Sequence, residues 1–407
     1  MVSRNVTVGS VRKLPAGILV LGLVSMLMDM SSELMLSLLP VFMTTVLGAG
    51  MVSVGVVEGF SEAAASLMKV VSGAWSDRIR RRKPLALLGY GLSALTKPLF
   101  PLAGSIGLVF AARFVDRVGK GIRGAPRDAL VAELAPQGMQ GAAFGLRQAL
   151  DSAGAFLGPL LAVLLMHLCF NDIKAVFWVG TIPALLCILL LGLGLREPPV
   201  TPHAKENAGA SFSFSGFSRM PASFWIVVSV GAAFTLARFS DAFLVLKALH
   251  SGLPAAYVPL VLVVMNLVYS GVSYPAGVMS DRYGSRGQLV TGITLLVAAN
   301  LVLAASYRLP GLAVGVLLWG AHLGFTQGVL SRMVAASAPS ETLATGFGIF
   351  NFVNGIAVLF SSLVAGLLWQ HFGVYATFMA GAIFAMLAGA VIAATWRSSS
   401  WTGTGRP

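Results

Sequence analysis

Twelve stretches of the chain are dominated by apolar residues, and polar residues gather in the short connections between them. The stretches run at about 15–47, 51–76, 84–104, 105–128, 141–168, 174–195, 222–249, 254–280, 288–307, 309–335, 343–370 and 372–396. Each is long enough for a helix to cross a hydrocarbon core about 30 Å thick. The pattern predicts an all-α polytopic membrane protein with twelve transmembrane helices. Between the sixth and seventh stretches lies Arg196–Pro221, rich in Pro, Ser, Gly and charge, a composition that suits a linker. The expected organisation is an N-terminal six-helix bundle over 1–195, a cytoplasmic linker over 196–221 and a C-terminal six-helix bundle over 222–407.

The two halves carry matching sequence. Gly73-Ala-Trp-Ser-Asp77-Arg78 ends the second stretch, and Gly277-Val-Met-Ser-Asp281-Arg282 ends the eighth. Pro136 precedes Phe144-Gly145 at the start of the fifth stretch, and Pro339 precedes Phe347-Gly348 at the same spacing in the eleventh. The chain is therefore expected to be a duplication, two pseudo-symmetric bundles in parallel repeat, one of the recurrent transporter layouts.

Composition agrees with the membrane reading: 57% of the 407 residues are hydrophobic and 11% charged, against about a quarter charged in a soluble protein. A net charge of +13 suggests nucleic acid as a partner. The placement of the charge argues otherwise. Arg12, Lys13, the Arg78–Lys83 cluster, Arg196, Lys205, Arg219, Arg282, Arg286 and Arg397 fall in alternate connections, while the opposite ones hold little beyond Lys174, Lys247 and Arg308. The positive-inside rule then puts both termini in the cytoplasm of a multi-pass protein of the cytoplasmic (inner) membrane. The expected partners are the lipid bilayer, a small-molecule substrate and protons, not nucleic acid, and a monomer is expected. The first apolar run is too long for a signal h-region, and Cys169 and Cys187 lie within apolar runs.

Charge inside the membrane costs roughly 2.5–3.5 kcal/mol per residue on insertion scales, so each such residue is a functional candidate. Asp29 and Glu33 lie four apart on one face of the first span. Counted from Pro15, Asp29 is about 21 Å along the helix. Two carboxylates on one face repel, so the pair is a reasonable proton site and would also suit a cation. Glu58 and Glu62 repeat the device in the second span, with Glu58 expected near the outer surface and a Glu62–Lys69 structural link as an equal reading. Lys97, before Pro98, is a candidate internal partner. In the fourth span Arg113, Asp116, Arg117, Lys120 and Arg127 form one stripe, which must line a cavity or meet acids on neighbouring helices. Arg123, Arg127 and Asp128 are expected to anchor its cytoplasmic end. Arg147 and Asp151 lie four apart in the fifth span. The second half offers Arg238 and Asp241, expected to pair, with His322, Asn351 and Asn354 as polar substrate contacts. Asn354 occupies the repeat position of Asp151.

These residues carry a resemblance to the major facilitator superfamily over nearly the whole chain. The superfamily's loop signature, Gly-x-x-x-Asp-Arg-x-Gly-Arg-Arg, is matched by Gly73, Asp77, Arg78, Arg81 and Arg82, with Arg80 in place of its Gly. The second copy keeps Gly277, Asp281, Arg282, Gly284 and Arg286. The resemblance implies that Asp77, Arg78, Asp281 and Arg282 latch the cytoplasmic ends of the halves. Arg113 matches the arginine of the motif Arg-x-x-Gln-Gly-x-Gly, which the superfamily links to proton transfer; Asp116 and Arg117 depart from it. Gly154-Ala-Phe-Leu-Gly158-Pro159 resembles an antiporter motif, with Leu161 and Ala162 replacing its final glycines.

The expected function is export of a small molecule by proton-coupled alternating access. Asp29, Glu33, Arg113 and Asp151 are the coupling residues, and Glu58, Arg117, Arg238, Asp241, His322, Asn351 and Asn354 the cavity. No cofactor and no resident metal are expected. Gly119-Lys120-Gly121 lacks the earlier glycine and the Ser/Thr of a P-loop, and no metalloprotease or serine-hydrolase signature is present, so an enzyme is not expected. A proton-coupled uptake symporter and a divalent-metal exporter remain open, because the same acids serve both.

Overall fold

The computed structural model describes residues 14–79, 82–136, 139–195, 220–283, 285–339 and 343–395. Among them the chain is helical, without a strand. The helices are α1 (Ala16–Val41), α2 (Met51–Ile79), α3 (Arg82–Thr96), the short α4 (Leu99–Leu102), α5 (Ile106–Leu134), α6 (Gln140–Leu168), α7 (Ile173–Gly194), α8 (Ala222–Ala237), α9 (Ala242–His250), α10 (Leu260–Tyr283), α11 (Ser285–Ala305), α12 (Leu309–Ser337) and α13 (Leu343–Thr395).

Ten helical spans among the described residues are long and apolar enough to cross a membrane. Two local features account for the difference from twelve. The helix α5 is 29 residues long, but its eight charged side chains between Arg113 and Glu133 lower its hydropathy. The 53-residue α13 would be about 80 Å long if straight. It turns instead at Gly373, whose φ of 82° and ψ of 178° only glycine adopts readily. The linker 196–219 lies outside the described residues.

Two helices break where charge is placed. Pro98 lacks a backbone donor and stops α3, leaving Lys97 at the break. The seventh span, expected to be continuous over 222–249, is interrupted between α8 and α9. Arg238 there is extended, with φ −116° and ψ 96°. Neither Pro nor Gly marks this break, so the apolar pattern gave no signal of it. Its freed backbone groups are satisfied locally: Ala242 N donates to Ser240 Oγ (3.3 Å), and Ser240 N to Ser362 Oγ (3.3 Å). Broken helices at membrane depth are tolerated on such terms.

In the first half α1 packs on α6 and α7, while α5 lies between α2 and α3; in the second half α8 packs on α13, and α12 lies between α10 and α11. Close approach depends on missing side chains. A Cβ on Gly119 would stand 2.6 Å from Gly89 O on α3, and one on Gly121 2.7 Å from Ala65 O on α2. The Gly-Lys-Gly that fails as a P-loop is thus the point where α5 meets both neighbours. Gly154 and Gly158 likewise bring α6 against the Met26 and Met30 carbonyls of α1.

The halves meet along α2 and α13. A Cβ on Gly55 would sit 2.3 Å from Ser362 O, and one on Gly366 2.6 Å from Met51 O. At the loops opposite the basic ones, Gln370 Oε1 accepts from Val52 N (3.2 Å), and His167 Nε2 lies 3.1 Å from Tyr257 Oη. Apolar side chains including Leu164, Leu193, Leu267, Phe372 and Leu387 are exposed on the flanks, as expected of a lipid-facing surface.

Gly55→Ala should lower Tm in detergent, equivalent to a loss of about 1–3 kcal/mol, because the added methyl meets a backbone oxygen that cannot move aside. Gly91→Ala, with nothing within 4 Å of its Cβ, should be neutral or slightly stabilising in the same thermal-unfolding assay.

Candidate functional site

The charges of α2 and α5 are arranged in matched steps. Glu58 and Glu62 are one turn apart on α2, and Arg113 and Arg117 one turn apart on α5. Arg113 Nη2 donates to Glu58 Oε2 at 3.0 Å, and Arg117 Nη2 lies 2.9 Å from Glu62 Oε1. A longer contact of 3.9 Å crosses between Arg113 and Glu62. Glu58 is 2% exposed, buried against α5. The Glu62–Lys69 link is not formed, because Glu62 is turned towards α5.

Behind this ladder, Arg113 also approaches Asp116 (3.7 Å), which holds Lys97 at 3.0 Å. Lys97 Nζ donates in addition to Ser32 Oγ (2.9 Å). Further along α5, Arg123 reaches Asp29 (3.3 Å), donates to Ser93 Oγ (3.0 Å) and sits 4.7 Å over the Tyr90 ring. Arg123 is 3% exposed, so it is a core residue and not the loop anchor expected from sequence. Asp151 is held by Arg147 at 2.6 Å and by Arg127 at 3.5 Å. Each arginine of the stripe meets an acid of a neighbouring turn or helix. Removing one partner of such a buried pair leaves an uncompensated charge.

Between the halves is a cavity of about 290 Å³. The first half contributes Glu33, Glu58, Glu62, Arg117 and Lys120, and the second Arg238, Ser240, Asp241 and Asn266. Ser240 Oγ lies 3.5 Å from Glu58 Oε2, a polar contact across the halves. Trp319 Nε1 donates to Asp241 Oδ1 at 3.3 Å.

The structure separates the residues expected to act together. Glu58, Arg117, Arg238 and Asp241 line the cavity. The expected Arg238–Asp241 ion pair is not formed within 4 Å, because the helix breaks between the two residues. His322 is buried against α11, with Nδ1 2.9 Å from Gly292 O and its ring stacked on Phe234. Asn354 accepts from Thr235 Oγ1 (2.9 Å). Neither His322 nor Asn351 nor Asn354 is among the cavity's lining residues. Glu33 lines the cavity, whereas Asp29, Arg113 and Asp151 are engaged in the pairs above; Arg113 meets none of Asp29, Glu33 or Asp151 as an ion partner. The side chains of Asp77, Arg78, Asp281 and Arg282 lie outside the described residues. Among the described residues no group of three or more His, Cys, Asp or Glu is placed to hold a metal ion. Sequence reading gave no role to Ser240 or Asn266, which carry no charge or motif to single them out.

The sequence profile of the Major Facilitator Superfamily matches residues 21–250 and 240–406. The chain belongs to the major facilitator superfamily. It is similar to the uncharacterized MFS-type transporter MJ1317 of Methanocaldococcus jannaschii, 31% identical over 388 residues, covering 94% of this chain and 95% of that one. It is 29% identical over 355 residues to the uncharacterized protein Rv2265 of Mycobacterium tuberculosis, covering 86% of each. Among solved structures, the nucleoside transporter NupG aligns over 94% of this chain and 99% of its own with TM-score 0.72 at 16% identity. The peptide transporter POT in complex with sulfate aligns over 94% of both chains with TM-score 0.75 at 14% identity. A bacterial homologue of the human lysosomal transporter Spinster, inward-facing and unoccupied, aligns over 94% of this chain and 96% of its own with TM-score 0.75 at 15% identity. The likeness to these structures is one of fold. The superfamily makes this chain a multi-pass membrane transporter, and its members bind small-molecule substrates within the membrane.

Asp116→Ala should cost about 3–5 kcal/mol by stranding Lys97, seen as a marked drop in Tm. The double variant Lys97→Met with Asp116→Leu should recover most of that loss, because both buried charges are removed together.

Proposed function

We propose that this transporter exports a small molecule across the cytoplasmic membrane in exchange for protons, with Glu33 as the acid at which the two compete. The observation that carries the reading is the state of Glu33. Among the described residues it is the cavity carboxylate with neither a hydrogen bond nor an ion pair within 4 Å. An acid already locked to an arginine gives up that bond when it takes a proton, as Asp29 and Asp151 would. Glu33 has no such bond to lose and faces the space a substrate would fill. Asp29, Arg113 and Asp151 then act as its surroundings: they fix the arginine network whose field Glu33 feels.

The two halves, 1–195 and 222–407, move as bodies about their shared interface in this reading, and the Asp77-Arg78 and Asp281-Arg282 loops latch them on the cytoplasmic side. Export is favoured over uptake by the Gly154-x-x-x-Gly158-Pro159 motif, whose glycines bring α6 against α1 near Glu33 itself: a Cβ on Gly158 would stand 3.0 Å from Glu33 Cβ. An uptake symporter would use the same acid, and the direction of flux under an imposed gradient separates the two.

A ligand screen by thermal shift at about pH 6 and about pH 8 should identify compounds whose binding weakens at the lower pH. In liposomes loaded with a pH-sensitive dye, such a compound should move protons through the wild-type protein. Glu33→Gln should bind the compound more weakly and, at saturating compound, still exchange it but lose acceleration by the gradient, by about tenfold or more. Full gradient-driven transport by Glu33→Gln would refute the assignment.

A further inference from the structure

The cavity's charges, taken pair by pair, point to a particular substrate chemistry. Glu58 and Glu62 are each paired with an arginine of α5. Four charged side chains remain along the wall: Glu33 and Lys120 from the first half, Arg238 and Asp241 from the second. None of the four makes an ion pair within 4 Å among the described residues. Two are acids and two are bases, so the wall has no excess of either sign.

We propose that the cavity selects a small zwitterion, an amine and a carboxylate carried on one apolar body, bridging Glu33 and Arg238; this rests on the cavity being the substrate site. A ligand with a single charge would satisfy one wall and bury the opposite charge of the other without a partner, which is costly. A dipolar ligand satisfies both at once. Arg238 suits the carboxylate, because a guanidinium offers two parallel donors to it. The backbone of Arg238 is tied to Phe234 O (3.1 Å) at the end of α8, while its guanidinium has no hydrogen-bonded partner among the described residues. Glu33 is the freer acid for the amine, since Asp241 already accepts from Trp319. Lys120, from α5, lines the same wall of the first half as Glu33.

The rest of the wall fits the body of such a molecule. Leu36, Phe239, Val245, Leu262, Met265 and Val358 line the same space. Its volume of about 290 Å³ is close to the lower end of small-molecule sites, about 300 Å³. The two ends of the ligand would contact different halves, so the substrate itself would draw them together.

The test compares matched triplets: L-phenylalanine, phenethylamine and hydrocinnamate, then L-leucine, isoamylamine and isocaproate. Binding to the purified full-length protein is measured by calorimetry in detergent, without any proton gradient. At least one amino acid should bind about tenfold or more tightly than its two singly charged analogues. Arg238→Gln should erase the amino acid's advantage over the amine, and Glu33→Gln its advantage over the acid. Arg238→Lys should restore part of the first. Should a variant fail to fold, the wild-type ranking of each triplet still decides the matter. Equal binding of an amine or acid alone, no binding by any of the six compounds, or unchanged selectivity in folded Arg238→Gln would each overturn the proposal. A zwitterion preference without substrate-driven proton movement would overturn the coupling and leave this inference standing; proton movement driven by a singly charged compound would do the opposite.

Discussion

Everything in the first half depends on one constraint: α5 carries five cationic side chains, Arg113, Arg117, Lys120, Arg123 and Arg127, through the interior of the helix bundle. A helix so charged cannot face hydrocarbon. It is held in the interior because α2 supplies Glu58 and Glu62 in matching register, α1 and α6 supply Asp29 and Asp151, and Lys97, at the break after α3, meets the helix's own Asp116. The pairs are not strong sources of net stability, since desolvation offsets much of their attraction. Their effect is specificity of arrangement. Rotating α5 by one residue would unpair several charges together, so its register is fixed more firmly than apolar packing alone would fix it.

The glycines and the charges are parts of the same solution. Gly119 and Gly121 let the α5 backbone approach α3 and α2 closely enough for Ser93 Oγ to bond Asp116 O at 3.0 Å and for Ser72 Oγ to bond Gly121 O at 2.9 Å. With larger residues there, the guanidinium groups would stand farther from their acids. The second half has far fewer buried charges and uses a different device, a broken helix. Interrupting the span between α8 and α9 exposes Arg238, Ser240 and Asp241 to the cavity on a stretch that no longer follows a helical face. The halves thus repeat in topology while differing in chemistry.

This division explains what could be read in advance. The membrane-spanning helices, the duplication and the superfamily were legible because apolar length and repeated motifs are local signals. The stripe of α5 was legible because three- and four-residue spacing places it on one face. Its partners were not: whether Glu62 meets Lys69 on its own helix or Arg117 on another depends on helix register across space, which one sequence does not encode visibly. Arg123 was misplaced for the same reason, as a charge near a helix end can turn inward when a neighbour offers Asp29 and Tyr90. The break at Arg238–Asp241 left no trace in composition, and neither did the packing of His322 from α12 against α11, outside the cavity's lining.

The contact between α2 and α13 has a mechanical consequence. Gly55 and Gly366 bring main-chain atoms of the two halves together with nothing interposed. Interfaces built from long side chains absorb small displacements by changing rotamers; an interface of bare backbone has no such slack. The two helices can roll on one another about this line, but sliding by part of a turn would drive Cα atoms into carbonyl oxygens. Because Glu58 and Glu62 ride on the same helix a few residues from Gly55, a roll about this line would carry them and their α5 arginines together, past the residues that the second half turns towards the cavity.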